Sequence, residues 1–199
     1  MTAARCLATA SNAGRRAAPG RRNRVRIIAG AWRSRVVHFP DSPGLRPTPD
    51  RVRETLFNWL GQRLDGLACL DLFAGSGALG FEALSRGAAR VVMVERDRAT
   101  ARALRENAKK LEARGAEVVE SDAIAWLAHA PQPFDVVFLD PPYASGLAVR
   151  ALAALPAKLR PGARVYVETA AAVDPGGPWR MLREGRAGAV RYALFEIDR

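Results

Sequence analysis

From Leu67 onward, short β-branched runs alternate with segments of helical character, and this alternation constrains the fold more than any other feature of the sequence. LACLDLF, ARVVMVE, AEVVE, FDVVFLD and ARVYVE are apolar runs of strand length, and helix-forming stretches separate them. Strands buried on both faces and linked by helices form a parallel, doubly wound sheet with right-handed crossovers. The last two runs, WRMLRE and VRYALFEI, alternate in polarity around a Gly-containing loop, so they predict an antiparallel hairpin at one sheet edge. The expected fold class is therefore α/β and Rossmann-like: a mostly parallel doubly wound sheet with an antiparallel C-terminal hairpin. No run of about 18 apolar residues occurs, which excludes a helical membrane span.

The N-terminal quarter is built differently. Of the formal charge of +11, residues 1–53 carry +10, from twelve arginines against Asp41 and Asp50, so the remainder is nearly neutral. A basic device attached to a neutral body points to a polyanionic partner, with nucleic acid ahead of membrane. Residues 1–24 hold no acid and no apolar period, and are expected to be a disordered basic extension; an organellar transit peptide is the minority alternative. VRIIAG and SRVVHF predict a small β-hairpin turning near Gly30-Ala31 and carrying Arg26, Arg33 and Arg35. A Pro- and Gly-rich loop follows. Residues 25–47 are thus a hairpin and loop, and residues 48–199 the main domain. That domain opens with a helix capped by Thr48, with Pro49 at its first position and Gly61 at its end. Val52, Leu56, Trp59 and Leu60 form its buried stripe, while Arg51, Glu54 and Asn58 share a polar face whose ordinary fate is solvation. Of the two cysteines, Cys6 lies in the polar tail and Cys69 in an apolar run, so Cys69 is expected to be a buried hydrophobe without a disulfide. His38 and His129 stand apart from any cysteine cluster, and no metal site is expected.

Gly75-Ser76-Gly77-Ala78-Leu79-Gly80 is a GxGxxG match directly after the first long strand. Alone it is a common tight turn. In this position its glycines let backbone N–H groups at a helix start approach electronegative ligand atoms. Glu95 ends the next strand, 20 residues after Gly75, where a carboxylate holds ribose hydroxyls. That pair suits either a nicotinamide dinucleotide or S-adenosylmethionine. Asp71 separates them: a carboxylate beside the turn repels pyrophosphate and suits the ammonium of a methionine moiety. Asp122, after the third strand, is placed to accept from an adenine amine or to cap the helix behind it.

Asp140-Pro141-Pro142-Tyr143 ends the fourth strand, beside the first in a doubly wound order. An exocyclic base amine is planar and nearly non-basic. The Asp140 carboxylate and the Pro141 carbonyl can accept its two N–H bonds, the two prolines fix the backbone, and Tyr143 offers a face for an extruded base.

The segments GLRPTPDRVRETLFNWL, DLFAGSGALGFEALSRGA, VERD and FLDPPY, in that order, closely resemble the bacterial 16S ribosomal RNA guanine-N2 methyltransferases over roughly residues 25–197. Asp-Pro-Pro-Tyr by itself is shared by many amino-methyltransferases; the RPTPDRVRETLFNWL segment points to this family. The resemblance implies S-adenosyl-L-methionine as cofactor and N2-methylguanine in 16S rRNA as product, with the small ribosomal subunit or an assembly intermediate as partner in the cytoplasm. It implies cofactor contacts from Asp71, Phe73, Gly75, Ser76, Gly77, Glu95, Asp122 and Ala123. The catalytic set is Asp140, Pro141, Pro142 and Tyr143, and the RNA-binding set is Arg26, Arg33, Arg35, Arg46 and Arg51. A DNA or RNA adenine or cytosine amino-methyltransferase is the runner-up, although a chain of 199 residues lacks a recognisable target-recognition domain. A nicotinamide oxidoreductase or a non-catalytic nucleotide-binding module is the alternative from another class; Asp71 and the lack of a hydride-transfer residue speak against the first, and the intact Asp-Pro-Pro-Tyr against the second.

Overall fold

The computed structural model describes residues 23–42, 45, 47–131, 133–142 and 145–197. Residues 1–22 of the expected extension, Arg46 and Tyr143 therefore lie outside the described residues. The described chain starts with a two-stranded antiparallel hairpin, β1 (Asn23–Arg26) and β2 (Val36–Phe39). A helix follows, α1 (Asp50–Trp59). The alternating part then runs β3 (Ala68–Asp71), α2 (Ala78–Ser85), β4 (Arg90–Glu95), α3 (Arg98–Leu111) and β5 (Ala116–Glu120). It continues through α4 (Ala123–Ala128), β6 (Phe134–Leu139), α5 (Leu147–Ala154) and β7 (Leu159–Thr169). β8 (Trp179–Ala187) and β9 (Val190–Ile197) close it.

The seven-stranded sheet has the order β5-β4-β3-β6-β7-β9-β8. β3 to β7 are mutually parallel, and β9 inserts antiparallel between β7 and β8, as the alternating C-terminal runs predict. The chain winds outward from β3 to β5, then returns to the other side of β3 as β6. That reversal opens a crevice between the carboxyl ends of β3 and β6, where ligands bind in such sheets.

The strands are apolar throughout because both faces are covered. Val91 and Met93 of β4 join one cluster with the hairpin, α1, α2 and α3; Val92 and Val94 join the other with α4 and α5. Val25, Ile27, Val37 and Phe39 sit in the first cluster, so the hairpin is packed onto the body. No helix among the described residues is long and apolar enough to cross a membrane.

Helix α1 departs from its expected details. Pro49, with φ −56°, takes the N-cap position without a side-chain cap, and Thr48 is instead buried. Beyond the expected Val52, Leu56 and Leu60, its buried stripe includes Arg53 and Phe57, whereas Trp59 is only partly covered and lies 5.4 Å from Tyr192, ring to ring. Phe57 meets Phe138 of β6 at 5.9 Å.

A buried charge makes Arg53 an interior residue. Arg53 and Glu82 are both 0% exposed and paired at 3.3 Å, and Arg86 reaches the other Glu82 oxygen at 2.8 Å. Glu82 also accepts the N–H groups of Ile28 (2.8 Å) and Ala29 (3.0 Å) in the hairpin turn. Arg53 donates to the carbonyls of Thr48 and Arg26 and pairs with Asp50 at 2.6 Å. One carboxylate of α2 thus pins both the hairpin and α1. The hairpin approaches α2 so closely that a Cβ on Gly30, at φ +79°, would lie 1.8 Å from the Ser85 carbonyl oxygen. Asn107 of α3 fixes β2 by exchanging hydrogen bonds with the His38 backbone.

Candidate active site

The Gly-rich turn links β3 to α2 at the crevice. Gly75 (φ +48°) and Gly77 (φ +76°) occupy left-handed conformations that side chains rarely adopt. A Cβ on Gly75 would meet Leu45 at 2.7 Å, and one on Gly80 would meet Met93 at 2.8 Å. Leu45, from the loop after the hairpin, therefore lies against the turn. Ser76 is buried and accepts from the Ala78 N–H at 3.3 Å, tightening the first turn of α2.

Glu95 is held rather than free to swing. Its two oxygens accept the N–H groups of Gly75 (2.9 Å) and Asp97 (2.7 Å). An ionised carboxylate offers about four acceptor positions, so a diol can still be bound by the same group. Asp71 ends β3, is 2% exposed and accepts the Gly80 N–H at 3.0 Å. Burial, reinforced by the nearby Glu95 charge, outweighs that hydrogen bond and pushes the Asp71 carboxyl up to about 7. Asp122 caps α4 by accepting the Ala125 N–H at 2.9 Å, and Ala123 is buried behind it. Phe73 is partly buried against the cluster of α4 and α5.

Across the crevice, Asp140 follows β6 and is half-buried; Pro141 is buried and Pro142 exposed. The Pro142 carbonyl accepts from the Ser145 hydroxyl at 2.6 Å, which closes the turn. Burial, then Glu168, then Asp71 push the Asp140 carboxyl well above its ordinary range, against a weaker opposing bond from Thr48. Thr48 and Glu168 were both missed as site residues. The Thr48 hydroxyl lies 3.4 Å from Asp140 Oδ2 and 3.2 Å from Glu168 Oε2, and Glu168 Oε2 also accepts from the Tyr166 hydroxyl at 3.1 Å. Glu168 had a legible signal: like Glu95, it is an acid near the carboxyl end of a buried strand. Thr48 had none, because its role depends on strands 92 and 120 residues away.

The described arginines of the expected RNA-binding set fall into two places. Arg26 pairs with Asp50 at 3.5 Å, at the same end of α1 as Thr48, and the exposed Arg51 lies beside it. Exposed Arg33 and Arg35 lie at the far end of the hairpin, where Arg35 donates to the Lys110 carbonyl of α3 at 2.8 Å. Cys69 is fully buried in β3, its thiol pushed up to about 12 chiefly by desolvation, and so is unreactive. Among the described residues no group of three or more His, Cys, Asp or Glu is arranged to hold a metal.

The family model described as conserved hypothetical protein 95 matches residues 25–196. A protein named ribosomal RNA small subunit methyltransferase D, from Escherichia coli K12, is 47% identical over 87% of this chain and 90% of its own length. A protein of the same name from Haemophilus influenzae is 45% identical, over 89% of this chain and 96% of its own. A solved structure of a putative methyltransferase from Escherichia coli superposes with a TM-score of 0.80 at 44% identity, covering 88% of this chain and 99% of that one. With its Rossmann-like sheet, Gly-rich turn and Asp-Pro-Pro corner, the chain belongs to the ribosomal RNA small subunit methyltransferase D family.

Proposed function

We propose that this chain transfers a methyl group from S-adenosylmethionine to the exocyclic N2 amine of a guanine in 16S rRNA. The observation that carries this reading is the position of Asp140 and Pro141 directly across the switch-point crevice from the Gly75–Gly80 turn and Glu95. The residues present suit the cofactor: Glu95 is a pre-anchored acceptor for a ribose diol, and Asp71 is an acid at the strand end for an ammonium. Asp122 and Ala123 border the adenine side, with Phe73, Ser76 and Gly77 completing the cradle. When bound, S-adenosylmethionine supplies a sulfonium methyl that needs no further activation.

The protein's task is then to hold an amine in line with that methyl. Asp140 accepts one N–H of the guanine amine and the Pro141 carbonyl accepts the other; Pro142, its carbonyl engaged by Ser145, keeps the corner rigid. Tyr143, next in sequence, stacks on the extruded base. The amine's extra proton passes to Asp140 as the nitrogen–carbon bond forms. Catalysis of this kind rests on positioning and on electrostatics in a dry site. Arg26 and Arg51 beside α1 are assigned to phosphates near the site mouth, and Arg33 and Arg35 to more distant ones; Arg46 is kept in the RNA-binding set by its sequence alone. The partner is the small ribosomal subunit or an assembly intermediate, which places the reaction in the cytoplasm. The hairpin and its following loop, residues 25–47, then act as the RNA-binding part, and residues 48–199 as the transferase body.

Radiolabelled methyl transfer to small subunits lacking the modification, followed by nucleoside analysis, tests this. Asp140→Ala is expected to cut turnover by about 10²–10⁴-fold, while cofactor affinity changes by less than about tenfold. A methylated adenine or cytosine product would refute the guanine assignment, and normal turnover of the variant would refute the role of Asp140.

A further inference from the structure

The carboxyl ends of β6 and β7 bring two acids together, and only one of them is accounted for by the chemistry above. Leu139 pairs with Val167 in the parallel register, so Asp140 and Glu168 follow at neighbouring positions. Glu168 is 2% exposed and Thr48 is 4% exposed, whereas Asp140 is only half-buried. The single Thr48 hydroxyl lies between them, 3.2 Å from Glu168 Oε2 and 3.4 Å from Asp140 Oδ2. One hydroxyl hydrogen cannot be donated to both oxygens. The bridge is satisfied when one acid carries a proton and donates it to Thr48 Oγ1, while Thr48 donates its own to the other acid.

Two adjacent carboxyl groups out of bulk water do not both ionise readily, so the charge on one bears on the other. Glu168 lies behind Asp140, where the Tyr166 hydroxyl donates to it and Tyr192 packs against Tyr166. Asp71 on β3 is a further acidic neighbour of Asp140. The contacts run from Glu168 through Thr48 to Asp140, which follows β6 at the crevice. We propose that Thr48 and Glu168 are positioning residues for methyl transfer: Glu168 anchors the Thr48 hydroxyl, and Thr48 holds one oxygen of Asp140 so that this carboxylate meets the acceptor amine in a fixed orientation.

This inference rests on the assignment of Asp140 to the acceptor amine. The step it serves balances simply. The amine lone pair forms the nitrogen–carbon bond, the carbon–sulfur pair leaves with sulfur, and the surplus N–H proton goes to Asp140. Asp140 must therefore be free of a proton when it receives this one, and its acidic neighbours make it the stronger acceptor.

The test is single-turnover methylation of unmodified small subunits by the full chain between about pH 5 and 9, with cofactor affinity measured by calorimetry. Thr48→Val is expected to slow methyl transfer about tenfold or more with cofactor affinity unchanged, and Thr48→Ser to restore most of the rate. Glu168→Gln is fixed in a neutral form. It is expected to lose several-fold in rate, since the anchor shared by Tyr166 and Thr48 is altered, and to move the acid limb of the rate profile to lower pH, because a neighbour that opposes ionisation of Asp140 is neutralised.

An acid limb that does not move in Glu168→Gln would show that Glu168 does not act on Asp140 and would overturn the inference. A wild-type rate in Thr48→Val would overturn it too. If Thr48→Val fails to bind cofactor, the Glu168→Gln limb decides alone. Absence of N2-methylguanine with the wild-type chain would instead overturn the acceptor assignment, and this inference with it.

Discussion

Asp71 combines two demands that oppose each other. Its carboxyl is enclosed at the end of β3 and bonded to the Gly80 N–H, which suits a structural acceptor. The same enclosure opposes charge and pushes the carboxyl up to about 7. In the unfolded chain the group would titrate at its ordinary value of 3.8, so the folded state retains a proton that the unfolded state has lost between pH 4 and 7. Stability linked to Asp71 is therefore present at low pH and declines as pH rises through that window, by at most about 4 kcal/mol. Asp71→Asn keeps the acceptor for Gly80 but cannot ionise. Urea unfolding of both proteins at pH 5 and pH 8 should show the variant gaining on the wild type at the higher pH. A difference that does not change with pH would mean that Asp71 does not titrate there. A sequence shows the acid and its strand-end position; it does not show the enclosure that sets the protonation state.

The parallel order, the Gly-rich turn after β3 and the C-terminal hairpin were legible from runs of apolar residues and from Gly placement, because each is written within about twenty consecutive positions. The attachment of the hairpin was not. Glu82 looks like a solvated charge in FEALSRG, and Arg53 like the polar side of an amphipathic helix, until folding joins them across 29 residues. Local periodicity carries no record of such a pair. The same limit hid Thr48, whose position before Pro49 looks like a cap in sequence but whose hydroxyl turns to β6 and β7. Because Glu82 is fully buried with two arginines and two hairpin N–H groups, Glu82→Gln removes charge that the interior was built around. It should cost about 3 kcal/mol, the lower end for a broken buried pair, since Arg53 keeps Asp50. Amide hydrogen exchange over residues 27–37 should accelerate more than exchange in β3 and β4. Equal acceleration in both regions would show that the network stabilises the body generally and does not pin the hairpin.

For the whole molecule, the uneven charge acquires a geometry. The hairpin shares one apolar cluster with α1 and α2, so removing it would expose core and take two N–H donors from the buried Glu82; the basic region cannot be tested cleanly by truncation. Side-chain substitution avoids that difficulty. Arg33 and Arg51 are both exposed, one at the distal hairpin and one at the N-terminal end of α1 beside the site. Replacing both by Gln leaves the core untouched. If each contacts a phosphate, the salt dependence of RNA binding should flatten by about 0.7–0.9 in log–log slope per residue, and affinity at low salt should fall. Phosphate contacts position without specifying, so the modified nucleotide should remain the same and cofactor affinity should not move. Arg51→Gln should depress methylation more than Arg33→Gln, because Arg51 lies at the end of α1 next to Thr48 and the site, whereas Arg33 is at the far end of the hairpin. An unchanged slope in the double variant would assign the basic surface away from these two arginines, toward Arg26 and Arg35 or the N-terminal segment.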